Sequence, residues 1–116
     1  FLIESLALVP AGARLIAAAD PGVGEVLHRS QELADRGLRN QVPQTRLMVS
    51  LARDMGAIGA SSFGAGWGGS VYALVPTDDA EDFASQWLQA YRDREQEAEL
   101  SSTIVTRPGT GACRML

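Results

Sequence analysis

The sequence predicts an α+β fold in which antiparallel strands carry helices on one face, and three observations lead there. Two segments, 43–55 and 80–91, repeat apolar residues at helical spacing; three short runs, 57–62, 71–75 and 102–106, have strand length and composition; and a glycine-rich stretch joins the first two runs. The order helix, strand, glycine loop, strand, helix, strand is that of a split βαβ unit.

The first forty residues read as a helical lead-in. Pro10 and then Pro21-Gly22-Val23-Gly24 punctuate Ala11 to Ala19, and Glu25 to Arg39 follows as a helix with Val26, Leu33 and Ala34 inward. Asn40-Gln41-Val42-Pro43 ends it, because the residue before a proline is pushed out of the helical region, while Pro43 suits the first turn of a new helix. In that helix Leu47, Met48, Leu51, Ala52 and Met55 form one stripe, and Gly56 stands where a helix end favours a left-handed residue. Ala57 to Ser62 and Val71 to Val75 read as buried strands. Pro76-Thr77-Asp78-Asp79 supplies a turn and N-cap for a helix with Ala80, Phe83, Ala84, Trp87, Leu88 and Tyr91 on one stripe. Ser102 to Thr106 is β-prone and reads as a last strand, before Pro108-Gly109 returns the chain to loop.

At 116 residues, 46% hydrophobic and 21% charged, the chain fits one domain, 1–116, with the lead-in at 1–40 and a motif-bearing core at 41–116. It is long enough to bury a core without staples. One cysteine, Cys113, cannot form an internal disulfide, and with the single histidine, His28, cannot complete a four-ligand zinc site. A reducing cytoplasm is the simplest address. A net charge of -4 with scattered arginines argues against a nucleic-acid partner, and no apolar run reaches membrane-spanning length. The chain opens on Phe1 rather than methionine, which together with the irregular lead-in is what a piece of a longer protein would show.

The stretch Phe63-Gly64-Ala65-Gly66-Trp67-Gly68-Gly69-Ser70 is the one whose composition folding alone explains poorly. Gly64-x-Gly66-x-x-Gly69 matches the dinucleotide fingerprint, but that fingerprint opens a helix and here a strand follows. A phosphate-binding Walker loop needs a lysine, and the sequence contains none. Two readings remain. One is a flexible hairpin connection; the other is a ligand-proximal loop, favoured because four glycines in six residues exceed what a hairpin needs. Glycine backbones can approach an anion closely and present successive amides to it. Trp67 reads as an anchor packing this loop on the core. His28 reads as a surface or half-buried helix residue, Cys113 as a spectator thiol, and Asp78-Asp79 as capping and dipole compensation rather than a metal pair. Glu95, Glu97 and Glu99 read as a solvated helix end. Arg107 reads as one half of a surface ion pair, or, if the tail folds back toward a cleft, as a guanidinium that meets phosphate.

The run from Gly56 to Val75 resembles the third motif of the galactokinase, homoserine kinase, mevalonate kinase and phosphomevalonate kinase superfamily, nearest its galactokinase branch. Asn40-Gln41-Val42-Pro43-Gln44-Thr45 is similar to that branch's helix-opening segment, and Thr106 to Ala112 to its C-terminal tail. The resemblance implies a ferredoxin-like C-terminal domain of an ATP-dependent sugar kinase, acting on galactose or a related sugar or alcohol. ATP and Mg2+ would then be held mainly by an N-terminal domain that also carries the sugar site and catalytic aspartate; neither of the family's other two motifs occurs here. Carried over residue by residue, the cofactor-proximal positions are Gly64, Ala65, Gly66, Gly68, Gly69 and Ser70, with Ser62 beside them. No catalytic or metal-binding residue is implied in this chain, which alone would be inactive. The other implied possibility is a kinase-derived sensor that binds without turnover.

Overall fold

The computed structural model describes residues 1–96 and 98–109; Glu97, Cys113 and the Thr110 to Ala112 part of the tail motif lie outside that range. A π-helical turn, Glu4–Leu8, runs into α1 (Val9–Ala17), and α2 (Val23–Leu33) continues through a second π-helical turn, Ala34–Leu38. Then come α3 (Pro43–Asp54), β1 (Gly59–Phe63), β2 (Ser70–Leu74), a 3-10 turn (Thr77–Asp79), α4 (Ala80–Arg92) and a last 3-10 turn (Ala98–Leu100).

The core lies between α3, α4 and one face of the sheet. Val49, Leu51 and Ala52 of α3, Ala60 of β1 and Trp87 and Tyr91 of α4 are buried together, with Leu47, Met48, Met55, Phe83, Val71 and Ala73 packed around them. The expected α3 stripe is there, with Val49 buried beside it; of the expected α4 stripe Phe83, Trp87 and Tyr91 enter the core, while Ala84 and Leu88 face the hollow beside Thr103 and Val105. Trp87 also donates its indole N–H to the Met48 carbonyl at 2.9 Å, so its burial leaves no polar atom unpaired. Pro43 opens α3 as expected, and the Val42 N–H donates to Thr45 Oγ1 at 3.2 Å. Gly56 takes the left-handed φ of +86° that ends the helix.

The two strands pair antiparallel, Gly59 opposite Leu74 and Phe63 opposite Ser70. β1 starts two residues later than the sequence suggests, because Ala57 and Ile58 are still turning off the helix, with the Ala57 N–H bonded to the Ala52 carbonyl at 2.9 Å. The expected strand at Ser102–Thr106 does not form. Among the described residues the sheet has two strands, and because 102–106 is not laid along either of its edges, β-prone residues alone cannot make a third. That segment instead runs beside α4, where Arg92 Nη2 donates to the Ser101 carbonyl at 2.5 Å. Asp79 likewise makes no side-chain cap; the 3-10 turn satisfies its N–H through the Pro76 carbonyl at 3.1 Å, leaving Asp78 and Asp79 to act on the helix through charge alone.

The α2 helix lies along β1 at backbone contact. A Cβ on Gly24 would come within 1.8 Å of the Ile58 carbonyl oxygen, and one on Gly59 within 2.9 Å of the Gly24 Cα. Only two glycines can face each other at this separation. Val23, Gly24 and Gln31 are the buried residues of α2, whereas Val26, Leu33 and Ala34 are half-buried, so the helix is rotated from the orientation its apolar residues suggest.

His28 sits half-buried on α2, with both ring nitrogens shielded from solvent and without a hydrogen-bond partner among the described residues. Burial pushes its pKa below the usual value; Arg53 across the groove adds to this, and Glu25 and Glu32 oppose it.

Two outcomes follow from this packing. Gly24→Ala should lower the unfolding free energy by about 3 kcal/mol or more in urea titrations, as overpacking against a rigid carbonyl does, whereas Gly37→Ala, with open space around it, should be neutral or better. Because His28 is held neutral, the unfolded chain binds the extra proton; the stability it contributes is present above about pH 6.5 and is lost as pH falls through the lowered folded value. The urea midpoint of wild type should therefore drop between pH 7.5 and 5.5 by more than that of His28→Leu.

Candidate functional site

The glycine loop, residues 64–69, is the six-residue link of the β1–β2 hairpin. Gly64, Gly66, Gly68 and Gly69 all take positive φ, between +85° and +108°, so each glycine serves a conformation that a side chain would strain. Trp67 takes one too, at +64°, which costs an ordinary residue about 1–2 kcal/mol. Its ring is 70% exposed, so Trp67 is not the core anchor its aromatic character suggested. What is anchored is its backbone: the Trp67 N–H donates to the Asn40 carbonyl at 2.6 Å.

Asn40 is the clamp of this loop. Its side-chain Nδ2 donates to the Ala65 carbonyl at 3.2 Å, and the loop passes so close that a Cβ on Gly66 would lie 2.5 Å from that nitrogen. Behind Asn40 runs a chain of amides. Gln41 Nε2 donates to Asn40 Oδ1 at 3.1 Å, and buried Gln31 donates from Nε2 to Gln41 Oε1 at 3.1 Å. The hydroxyl of buried Thr45 also reaches Gln41 Oε1 at 3.0 Å. Gln31 Oε1 in turn accepts from the Ser62 N–H at 2.9 Å and lies within reach of the Ser61 and Ser62 hydroxyls at 3.1 and 3.2 Å. One glutamine thereby satisfies the outer edge of β1 and, through two further amides, fixes the loop that follows that strand.

The expected site residues divide accordingly. The amides of Gly64, Ala65, Gly66, Gly68 and Gly69 donate to no backbone acceptor among the described residues. Ser70 begins β2 and is exposed beside them. Ser62 differs, because its N–H and hydroxyl both engage Gln31; its part is to hold the strand. Phe63 is 55% exposed and its ring lies 5.8 Å from that of Tyr72, so the hairpin presents two aromatic side chains, Phe63 and Trp67, to its surroundings. Burial raises the pKa of Tyr72, keeping its phenol protonated at neutral pH.

Among the described residues no group of three His, Cys, Asp or Glu is placed to hold a metal ion. Arg107 is exposed and takes part in neither ion pair found there, Arg29–Glu32 and Arg46–Asp35. No helix of the described residues is long and apolar enough to cross a membrane. Two surface hollows among the described residues lie away from the loop, one between α2 and α3 around His28 and Arg53 and one beside α4 around Leu88 and Val105. The loop itself is mostly exposed.

Asn40, Gln41 and Gln31 are the residues that sequence reasoning did not single out as functional. By sequence the run Asn40 to Thr45 reads only as a helix opening, yet its first two residues carry the loop. Gln31→Leu should cost about 2–4 kcal/mol in chemical denaturation, since it leaves the Ser62 N–H without its acceptor and takes from Gln41 one of its two donors, whereas Gln86→Leu on the exposed face of α4 should change stability by less than about 0.5 kcal/mol.

Known proteins resemble the chain over the stretch that contains this loop. It is 30% identical over 95 residues to the galactokinase of Candida parapsilosis, 32% identical over 91 residues to that of Mycobacterium tuberculosis and 29% identical over 98 residues to that of Saccharomyces cerevisiae, each match covering 78% of the chain. The chain spans 19%, 25% and 19% of those proteins, about a fifth to a quarter of their length. Residues 15–93, from the last turn of α1 to just past the end of α4, match the family described as GHMP kinases C terminal. With the clamped glycine loop inside the matched stretch and an α+β fold around it, the chain belongs to the GHMP kinase C-terminal family.

Proposed function

We propose that this chain is the C-terminal domain of a galactokinase-type sugar kinase that moves the γ-phosphate of MgATP to a sugar hydroxyl, converting galactose to galactose 1-phosphate. The observation that carries the reading is the loop itself: five backbone amides without backbone partners among the described residues, on a hairpin tip whose position is fixed from behind by Asn40. Phosphoryl transfer is chiefly a matter of positioning and of stabilising charge on oxygen, and a clamped row of amides offers both without a reactive side chain. Such amides fit phosphate or sugar oxygens by donor chemistry, and Gly66 and Gly68 let the backbone approach them closely.

In this reading the loop is one wall of a cleft whose other wall is an N-terminal domain of the same polypeptide. That domain supplies the base, the Mg2+ ligands and most of the ATP contacts. The sugar oxygen attacks the γ-phosphorus, the bond to the bridging oxygen breaks, ADP leaves, and the sugar proton passes to the base outside this chain. The described residues contribute amide donors from Gly64, Ala65, Gly66, Gly68 and Gly69, the Ser70 hydroxyl beside them, and exclusion of water by the tip. The cytoplasm is the address that goes with this reading, in keeping with a chain that has one cysteine and no internal disulfide to form.

The test is ADP release with MgATP and a panel of galactose, arabinose, amino sugars and related alcohols. A protein carrying the upstream domain should turn over galactose or a close relative, and the 116-residue chain alone should not. In the active protein, Gly66→Ala should lower kcat/KM at least tenfold, because its Cβ would displace either the loop or Asn40. No turnover across the panel by the longer protein would overturn the enzymatic reading in favour of a binding domain without catalysis.

A further inference from the structure

The first helical stretch carries an apolar surface that neither the core nor the glycine loop uses. Between Leu2 and Ala17 only Glu4 and Arg14 are charged. One side of this stretch rests on α2: Gly12 is buried against Val26, Leu8, Ala11 and Leu15 are half-buried, and Glu4 accepts a hydrogen bond from the Ser30 hydroxyl. The other side is apolar as well. Leu2 is 69% exposed, Leu6 75%, Val9 61% and Ile16 63%, with Ala13 exposed between them. These five positions advance by steps of four and three, the spacing of a seam against another element. A helix apolar on both sides is built for an interior, and a continuous stripe about 20 Å long exceeds the scattered exposed side chains of an ordinary surface.

We propose that the seam Leu2, Leu6, Val9, Ala13 and Ile16 is an interdomain surface, covered by an apolar face of the polypeptide that precedes Phe1 in the full-length protein. This rests on the reading of the chain as part of a longer kinase. Two facts choose this occupant over a second copy of the chain. A seam of five side chains on one short helix buries well under the roughly 800 Å² per partner that stable association of separate proteins needs. The relatives of which the chain spans only 19–25% have most of their polypeptide outside the matched stretch. A segment tethered directly at Phe1 meets the seam at high effective concentration, so a small surface suffices for it.

Cysteine accessibility tests this without any catalytic readout. In a Cys113→Ser background, Leu6→Cys and Ala13→Cys report on the seam and Ser85→Cys on the exposed face of α4, each in the 116-residue chain and in the protein extended upstream to its start codon. Maleimide should label both seam positions at least tenfold more slowly in the extended protein, and Ser85→Cys equally in the two. Equal labelling of the seam positions in both proteins would overturn the proposal. So would protection that appears in the 116-residue chain and grows with its concentration, which is the signature of a second copy. A reading frame with no domain-length segment ahead of Phe1 would overturn it too. Protection of the seam in an extended protein that phosphorylates no sugar would support this surface while removing the kinase reading, so the two failures are distinguishable.

Discussion

A single side-chain carbonyl, Oε1 of Gln31, is where helix, strand and loop meet. Buried at the edge of β1, it takes the backbone N–H of Ser62, while the nitrogen of the same amide begins the relay through Gln41 to Asn40. An unpaired strand edge would otherwise need solvent or another strand, and in a two-stranded sheet that edge is a large share of the whole. Placing a helix there requires two conditions at once. The backbones must touch, which Gly24 and Gly59 permit, and the polar groups trapped by that contact must be paired, which Gln31 achieves. Each condition is useless without the other.

The loop inherits its geometry from this arrangement. Hairpin connections rich in glycine are ordinarily adaptable, since every glycine adds accessible backbone states. Here the Asn40 side chain and carbonyl grip the loop at Ala65 and Trp67, on either side of Gly66, and so select one of those states. Rigidity at a site made of backbone amides has a direct value, because donors already in place need not be reorganised when charge appears on a bound oxygen. The grip comes from residues far away in sequence, and so the segment linking α2 to α3 acts as a strut for a hairpin that begins some twenty residues later.

Much of the fold was legible because apolar periodicity reports directly on burial. The stripes at Leu47 to Met55 and Ala80 to Tyr91 became the α3 and α4 faces of the core, and Val71 to Val75 became β2 with a shift of one residue. Of the site, the positions of the glycines were visible and their support was not. Gln31 lies among Arg29, Ser30 and Glu32, so by composition it belongs to a solvated face; only the rotation of α2 imposed by the Gly24 contact turns it inward. Strand propensity misled at Ser102 to Thr106, since pairing needs a neighbour that local sequence does not contain. Trp67 misled as well: a large aromatic residue ordinarily seeks the interior, but here it is the backbone that is held, at the Asn40 carbonyl, and the side chain stays exposed.

That tryptophan also sets two demands against each other at one position. Its left-handed backbone is the kind a glycine would adopt without strain, and the residues on both sides are glycines already. Backbone economy therefore favours losing the side chain, while only the indole gives the tip a broad aromatic face beside its amides. The protein tolerates a locally unfavourable conformation at an exposed point, and the cost is met by a hydrogen bond from the Trp67 N–H to the Asn40 carbonyl, which is indifferent to the side chain at position 67. Position 67 is thus a place where sequence variation among related chains would alter surface chemistry without disturbing the scaffold beneath.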